Sequence, residues 1–312
     1  MINIKNKKRR LNVAKVIAII LVVSSLILVA LSAMPQLTAT VSDVESESVI
    51  AEIAEKQPAE ETEEKDARIT NSIGVNKDTI GWIKIPGTKI DYPVVQTTDD
   101  SHYLNYNFNG QKSIYGAIFA GSKFNTEHLG RTTVIYGHSV TGDKNQIMFS
   151  DLKKFENIDF VKNNSTFTFN TNNEDGKWAV IGCFWTSAKA EEDNGYILNY
   201  IYPDMSANDM EGFLAEMNKR SFYTSDIQTD AENDKFLILS TCTRGLDTKQ
   251  GAKTTYKAEG RLVVVAVRVA ADVTVNYTVN SNPKMPQIYY NNHGIKNPYA
   301  NDAQWFPTRA AV

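Results

Sequence analysis

Two short apolar runs, Phe236-Leu237-Ile238-Leu239 and Leu262-Val263-Val264-Val265-Ala266-Val267, constrain this chain more than any other feature. Each is aliphatic or β-branched, of strand length, and bounded by polar residues and glycine, which predicts a buried strand. Cys242 stands where the first run ends. Arg261 stands where the second begins, beyond a loop of Thr, Lys, Gly and Asp. Neighbouring strands joined by a loop usually pair antiparallel. The end of one and the start of the other then share a sheet edge, with a thiol beside a guanidinium.

The formal net charge of −3 over 312 residues is close to balance, so the chain carries no nucleic-acid footprint. Its ends differ from its middle. Lys5, Lys7, Lys8, Arg9, Arg10 and Lys15 precede Val16 to Met34, a run of 19 residues without a charge. Such a run is long enough to span a bilayer, and the basic cluster before it keeps the N-terminus cytoplasmic and all that follows outside. A cleaved signal peptide ending near Leu31-Ser32-Ala33 is the rival reading. Secretory apolar cores run to only about 7–15 residues, which favours an uncleaved anchor. Ten acidic residues between Asp43 and Arg68 face only Lys56, Lys65 and Arg68, a composition that predicts a solvated stalk. Val49, Ile50 and Ile53 leave room for a short helix there. The organisation expected is therefore a basic segment (1–15), an anchor (16–34), an acidic stalk (35–70), a globular catalytic domain (71–270) and a polar C-terminal extension (271–312).

Within the globular part, the Trp/Ile/Ile alternation of Gly81 to Gly87 predicts a strand closed by a Pro-Gly turn. Ile90 to Gln96 predicts another, placed at an edge by Pro93. Further strands are expected at Ile114–Ala120, Thr132–Tyr136, Thr166–Asn170 and Trp178–Thr186. Met148 to Phe155 has helical spacing. Ser206 to Lys219 reads as a capped helix with Met210, Phe213, Leu214 and Met217 on its core face. About eight strands, few helices and no βαβ alternation point to an all-β fold, a closed or nearly closed antiparallel barrel.

A thiol near neutral pH is mostly protonated, so nucleophilic cysteine chemistry wants a cation, a histidine and a donor for the developing oxyanion. Of the four histidines, His102 and His128 lie in polar loops and His293 in the tail. His138 follows the apolar strand Thr132–Tyr136 and a glycine, where rigid support meets solvent. Arg261 stays charged at any working pH and offers planar donors; Arg244 and Arg268 compete with it. Cys183 lies mid-strand and reads as a buried hydrophobe, with a Cys183–Cys242 disulfide as the structural alternative.

Leu239-Ser240-Thr241-Cys242, Tyr136-Gly137-His138 and Gly260-Arg261-Leu262-Val263-Val264-Val265 together resemble the signature of the sortase family. The stretch Gly81-Trp82-Ile83-Lys84-Ile85-Pro86-Gly87 through Tyr92-Pro93-Val94-Val95-Gln96 is similar to class B members. The resemblance implies a closed eight-stranded β-barrel cysteine transpeptidase outside the membrane, using no metal or other cofactor. Cys242 would cleave a C-terminal sorting signal of the Asn-Pro-x-Thr type in a secreted protein and hold the acyl group. His138 would shuttle the proton, Arg261 would steady the oxyanion, and Ser240 and Thr241 would help line the substrate groove. The acceptor would be an amine of a peptidoglycan precursor or, less favoured, of a pilin lysine. The interval from Cys242 to Arg261 is 19 residues, long for the class, and predicts a reshaped groove. An L,D-transpeptidase is the rival enzyme, but those usually place His-Gly before the cysteine where this chain has Ser240-Thr241. A silent surface adhesin is the non-enzymatic rival. In the tail, Asn297-Pro298-Tyr299-Ala300-Asn301 approaches a sorting motif and admits a pseudo-substrate reading; a disordered or wall-binding extension is favoured over it.

Overall fold

The computed structural model describes residues 41–55, 66–140, 147–203, 205–270 and 273–308. The expected anchor and the basic segment before it lie outside the described residues. Among those described, no helix is long and apolar enough to cross a membrane.

A helix α1 (residues 41–55) opens the described chain. It departs from the solvated-stalk expectation because Ile50 and Ile53 recur at helical spacing and are buried on the barrel, and Tyr92 donates to Glu47 at 2.9 Å. Next come α2 (Ala67–Val75), β1 (Thr79–Lys84), β2 (Asp91–Val95), α3 (His102–Asn105), β3 (Phe119–Ala120) and β4 (Thr132–Tyr136). A 3-10 helix (Phe149–Glu156) and α4 (Ile158–Asn163) lead to β5 (Thr166–Thr171) and the long β6 (Lys177–Ser187). After them stand α5 (Ala207–Arg220), β7 (Tyr223–Ser225), β8 (Phe236–Cys242), the hairpin β9 (Thr248–Gln250) and β10 (Lys253–Tyr256), β11 (Gly260–Val269), β12 (Tyr277–Val279) and α6 (Gln287–His293). The start of α5 is the capping box expected from Ser206 and Asp209.

Eight strands close a barrel in the order β1-β2-β3-β4-β8-β11-β6-β5. Two ladders depart from the antiparallel expectation: β2–β3 and β4–β8 are parallel. Pro93 does not mark an edge. β3 meets β2 only at Val95↔Phe119, so the missing N–H of Pro93 falls in a part of β2 that β3 does not reach. Only Phe119 and Ala120 of the expected third strand pair in the sheet.

Strand alternation divides the apolar residues between two faces. Leu237, Leu239, Leu262, Val264 and Ile135 join Ile83, Phe167 and Phe169 in the barrel interior. Phe236, Ile238, Val263, Val265 and Val134 face outward and are roofed by Met210, Phe213, Leu214 and Met217 of α5. The β8 and β11 strands are therefore buried on both sides, which is why their sequences are continuous apolar runs. At the far end of β11, Arg268 pairs with Glu174, which also holds Lys235 at 3.0 Å.

Phe169 is fully buried and Val279 is 57% exposed. Phe169→Ala is expected to lower unfolding stability by about 3–5 kcal/mol and Val279→Ala to change it by about 0.5 kcal/mol or less, as read from denaturant melts. Burial alone pushes the Glu174 carboxyl up. Hydrogen bonds from Lys235, the Leu129 N–H and Arg268, with the charge of Lys235, outweigh burial and hold it below its ordinary value. A carboxyl lowered by folding stabilises above the ordinary carboxylate range and loses that contribution as pH falls through its depressed value. Wild type is expected to lose stability more steeply than Glu174→Gln in that acid window, measured by chemical denaturation at stepped pH.

Candidate active site

The site is built by register. β4 runs parallel to β8 with Tyr136 opposite Ser240, and His138 stands two residues past that pair, as Cys242 does on β8. β11 runs antiparallel to β8 with Arg261 opposite Cys242. The Thr243 N–H donates to the Gly260 carbonyl at 3.0 Å, which makes Cys242 and Arg261 a non-hydrogen-bonded pair. Such pairs bring their Cα atoms to about 4.5 Å and their side chains closest together. Alternation then puts all three on one face. Cys242 follows Ser240 and Ile238, Arg261 precedes Val263 and Val265, and His138 follows Tyr136 and Val134. Thiol, imidazole and guanidinium thus rise from three adjacent strands at one rim, on the outer side of the barrel.

The local sequence explains each placement. Gly137 packs so closely on the Phe149 ring that a Cβ there would approach it to 2.8 Å. Thr241 points to the opposite face and donates to the Gly137 carbonyl at 2.7 Å, tying the ends of β4 and β8 together. His138 Nε2 lies 3.0 Å from the Leu104 carbonyl; a carbonyl only accepts, so Nε2 carries a proton. Gly116, at φ +61°, brings its loop against the imidazole, where a Cβ would lie 3.2 Å from Cδ2 and 2.2 Å from the Tyr103 carbonyl.

Arg261 donates to the carbonyls of Glu259 and Gly260 at 3.2 and 3.1 Å and reaches the Glu259 carboxylate at 3.5 Å, with its side chain 27% exposed. The competing arginines are placed elsewhere: Arg268 with Glu174, and the exposed Arg244 with Asp247 at 3.8 Å. Cys242 is half-buried and free, as is the wholly buried Cys183. The two belong to different strands and opposite faces, since Cys183 pairs with Val264 of the interior. Burial, with Glu156 adding to it, pushes the Cys183 thiol well above its ordinary value. It is an inert core residue, and the disulfide reading is removed.

Tyr200 was not legible in the sequence. Its hydroxyl hydrogen-bonds Ser240 at 2.8 Å, on the same face as Cys242 and close enough to feel the charges of both Cys242 and Arg261. Burial is the main cause that raises its pKa, so it stands over the site as a neutral O–H. Tyr136 is likewise raised, first by burial, with Arg261 opposing. No local pattern marks Tyr200; it comes from the β6–α5 connection and reaches Ser240 only through the tertiary fold. Ser240 and Thr241 are both buried, with their hydroxyls committed to Tyr200 and Gly137.

A closed eight-stranded barrel with an unpaired thiol, a strand-end imidazole and a guanidinium at one rim defines a cysteine transpeptidase of the sortase type. The sortase domain model matches residues 83–269, and the chain belongs to the sortase family. It is 30% identical over 198 residues to sortase B of Listeria monocytogenes, covering 60% of this chain and 76% of that protein. It is 32% identical over 171 residues to sortase B of Staphylococcus aureus, covering 54% and 64%. The S. aureus sortase B–substrate complex matches with a TM-score of 0.61 at 25% identity, over 74% of this chain and 100% of that one. Sortase B of B. anthracis matches with a TM-score of 0.58 at 27% identity, over 74% and 99%. The class B likeness seen in the Trp82 and Tyr92 strands accords with these relatives.

Removing the Thr241 hydroxyl leaves the buried Gly137 carbonyl without its partner. Thr241→Val is expected to cost about 1–3 kcal/mol, and Thr241→Ser, which retains the donor, to restore at least half of it in the same denaturant melts.

Proposed function

We propose that this sortase cleaves an Asn-Pro-x-Thr-like sorting signal at the C-terminus of secreted proteins and joins them to an amine of the cell wall. The observation that carries the reading is the shared face and level of Cys242, His138 and Arg261 at the ends of β4, β8 and β11. The Cys242 thiolate attacks the threonine carbonyl carbon, and the electron pair of that C=O moves onto oxygen. Arg261 opposes the oxyanion with donors that never lose their charge. Collapse of the intermediate expels the amine of the following residue, which takes a proton from His138 and leaves a thioester on Cys242. The Leu104 carbonyl holds Nε2–H, so Nδ1 is the nitrogen that exchanges the proton. The acceptor amine then attacks the thioester carbon, gives its proton to His138, and releases Cys242 as thiolate. Peptide bond cleaved and amide bond formed balance, with no metal or cofactor in the scheme.

Ser240 and Thr241 serve the groove from beneath: Ser240 through Tyr200, Thr241 through Gly137. Val16 to Met34 anchors the enzyme to the cell membrane with its N-terminus inside, which places the barrel where secreted proteins emerge. A peptidoglycan-precursor amine is preferred to a pilin lysine as acceptor.

Incubation with a quenched-fluorescent Asn-Pro-x-Thr peptide and an amine acceptor tests the reading. Wild type is expected to yield a Cys242 acyl adduct detectable by mass spectrometry, and Cys242→Ala none. Arg261→Lys is expected to reduce kcat by about 10²–10³-fold with a smaller change in KM. An Arg261→Lys enzyme with unchanged kcat would remove the oxyanion role, and an absent adduct in wild type would remove the substrate class.

A further inference from the structure

The described part of the C-terminal extension, residues 273–308, carries β12 and α6 in place of the disorder expected. Residues 273–308 fold back over the barrel and join two segments that flank Cys242. One flank is the β6–α5 connection, which delivers Tyr200 to Ser240. The other is the excursion from Thr243 to Glu259, which leaves from Cys242, forms the β9–β10 hairpin and returns at Arg261. Its hairpin strand β10 is exposed throughout and, among the described residues, pairs only with β9. A two-stranded ribbon of this kind is marginal alone, so its position is set by what it packs on.

The flanks meet directly, with Tyr256 donating to Glu192 at 2.7 Å and the Glu259 N–H reaching the same carboxylate at 3.1 Å, and helix α6 adds a second support that touches both. Toward the β6–α5 side, the Gln287 N–H donates to Asp193 at 2.8 Å and Asn194 donates to the Gln287 side chain at 3.1 Å. Toward the hairpin, Ile288 packs with the buried Leu246 and Ala258 in a separate apolar cluster. Asn292 accepts from the Thr248 hydroxyl at 2.8 Å and donates to the Leu246 carbonyl at 2.9 Å. The tail is pinned further along as well. Tyr196 donates to the Trp305 carbonyl at 2.8 Å, the Trp305 ring lies 5.8 Å from that of Phe213, and the Thr308 N–H reaches Asp209 at 2.6 Å. The Asn297-Pro298 pair turns back on α6, with Asn297 donating to Gln287 at 3.0 Å.

We infer that the C-terminal extension is a clamp that holds the Thr243–Glu259 excursion against the β6–α5 connection and so sets the groove beside Cys242, with Ile288, Asn292 and Thr248 as positioning residues for substrate binding. The inference rests on the reading of that groove as the sorting-signal site.

Full-chain Thr248→Val, Thr248→Ser and Ile288→Ala test it, none of them a group that touches the reacting atoms. Hydrogen exchange over residues 246–258 reads the clamp without any peptide. Protection is expected to fall in Thr248→Val and Ile288→Ala and to remain in Thr248→Ser, which keeps the hydroxyl. For the Asn-Pro-x-Thr peptide, KM is expected to rise about tenfold in Thr248→Val and Ile288→Ala, the loss of one part-buried bond or one buried contact, and to stay near wild type in Thr248→Ser. The rate of Cys242 alkylation by iodoacetamide is expected to stay within about twofold, as reagents of that size do not need the groove. Unchanged exchange in all three variants overturns the clamp. Lost protection with unchanged KM overturns the positioning role, and so does a KM change that alkylation follows in parallel. If wild type turns over no such peptide while Cys242 still alkylates, the substrate reading fails and hydrogen exchange alone decides the clamp.

Discussion

The register of three strands is the constraint on which the rest of this molecule depends. β8 has a parallel neighbour on one side and an antiparallel neighbour on the other, and both ladders are in step at its C-terminal end. A slip of one residue in either would turn every side chain of the moved strand to the opposite face. His138 or Arg261 would then point into the interior, where a charge without a partner is expensive. The burial of both faces of β8 and β11 protects that register, because Leu237, Leu239 and Val264 belong inside as firmly as Ile238, Val263 and Val265 belong beneath α5. Core packing and catalytic alignment are the same set of contacts.

Around that rim the protein adds groups that touch the candidate catalytic residues or the residues beside them. The Leu104 carbonyl and the loop at Gly116 fix the imidazole, Thr241 joins the ends of β4 and β8, and Tyr200 lies against Ser240. These supports come from separate parts of the chain and meet at one end of the barrel. Precise positioning of reacting groups is where much of an enzyme's acceleration originates. The supporting contacts carry as much weight as the three candidate side chains. The tail extends the same logic outward, since α6 bonds to both flanks of the groove within seven residues.

The strands that carry the site were legible where burial is two-sided and the run is unbroken, as in β8 and β11. The Cys242–Arg261 juxtaposition followed from simple antiparallel pairing of those two runs. Elements whose identity depends on distant partners were read less well. Ile114–Ala120 contributed only Phe119 and Ala120 to the sheet, and Pro93 marked an incomplete ladder rather than an edge. Residues 41–55 looked like part of a solvated stalk because their acidic residues dominate the composition. Ile50 and Ile53 nonetheless find a place on the barrel.

Local chemistry alone therefore pointed to Cys242, His138 and Arg261 as candidates and to the all-β class, because each stands within three residues of one end of a strand-length apolar run. The parallel pairing of β4 with β8, the arrival of Tyr200 at Ser240 and the docking of the tail were decided only by the tertiary structure. Each joins residues tens of positions apart, and no short-range pattern encodes which distant surface a segment will bury against.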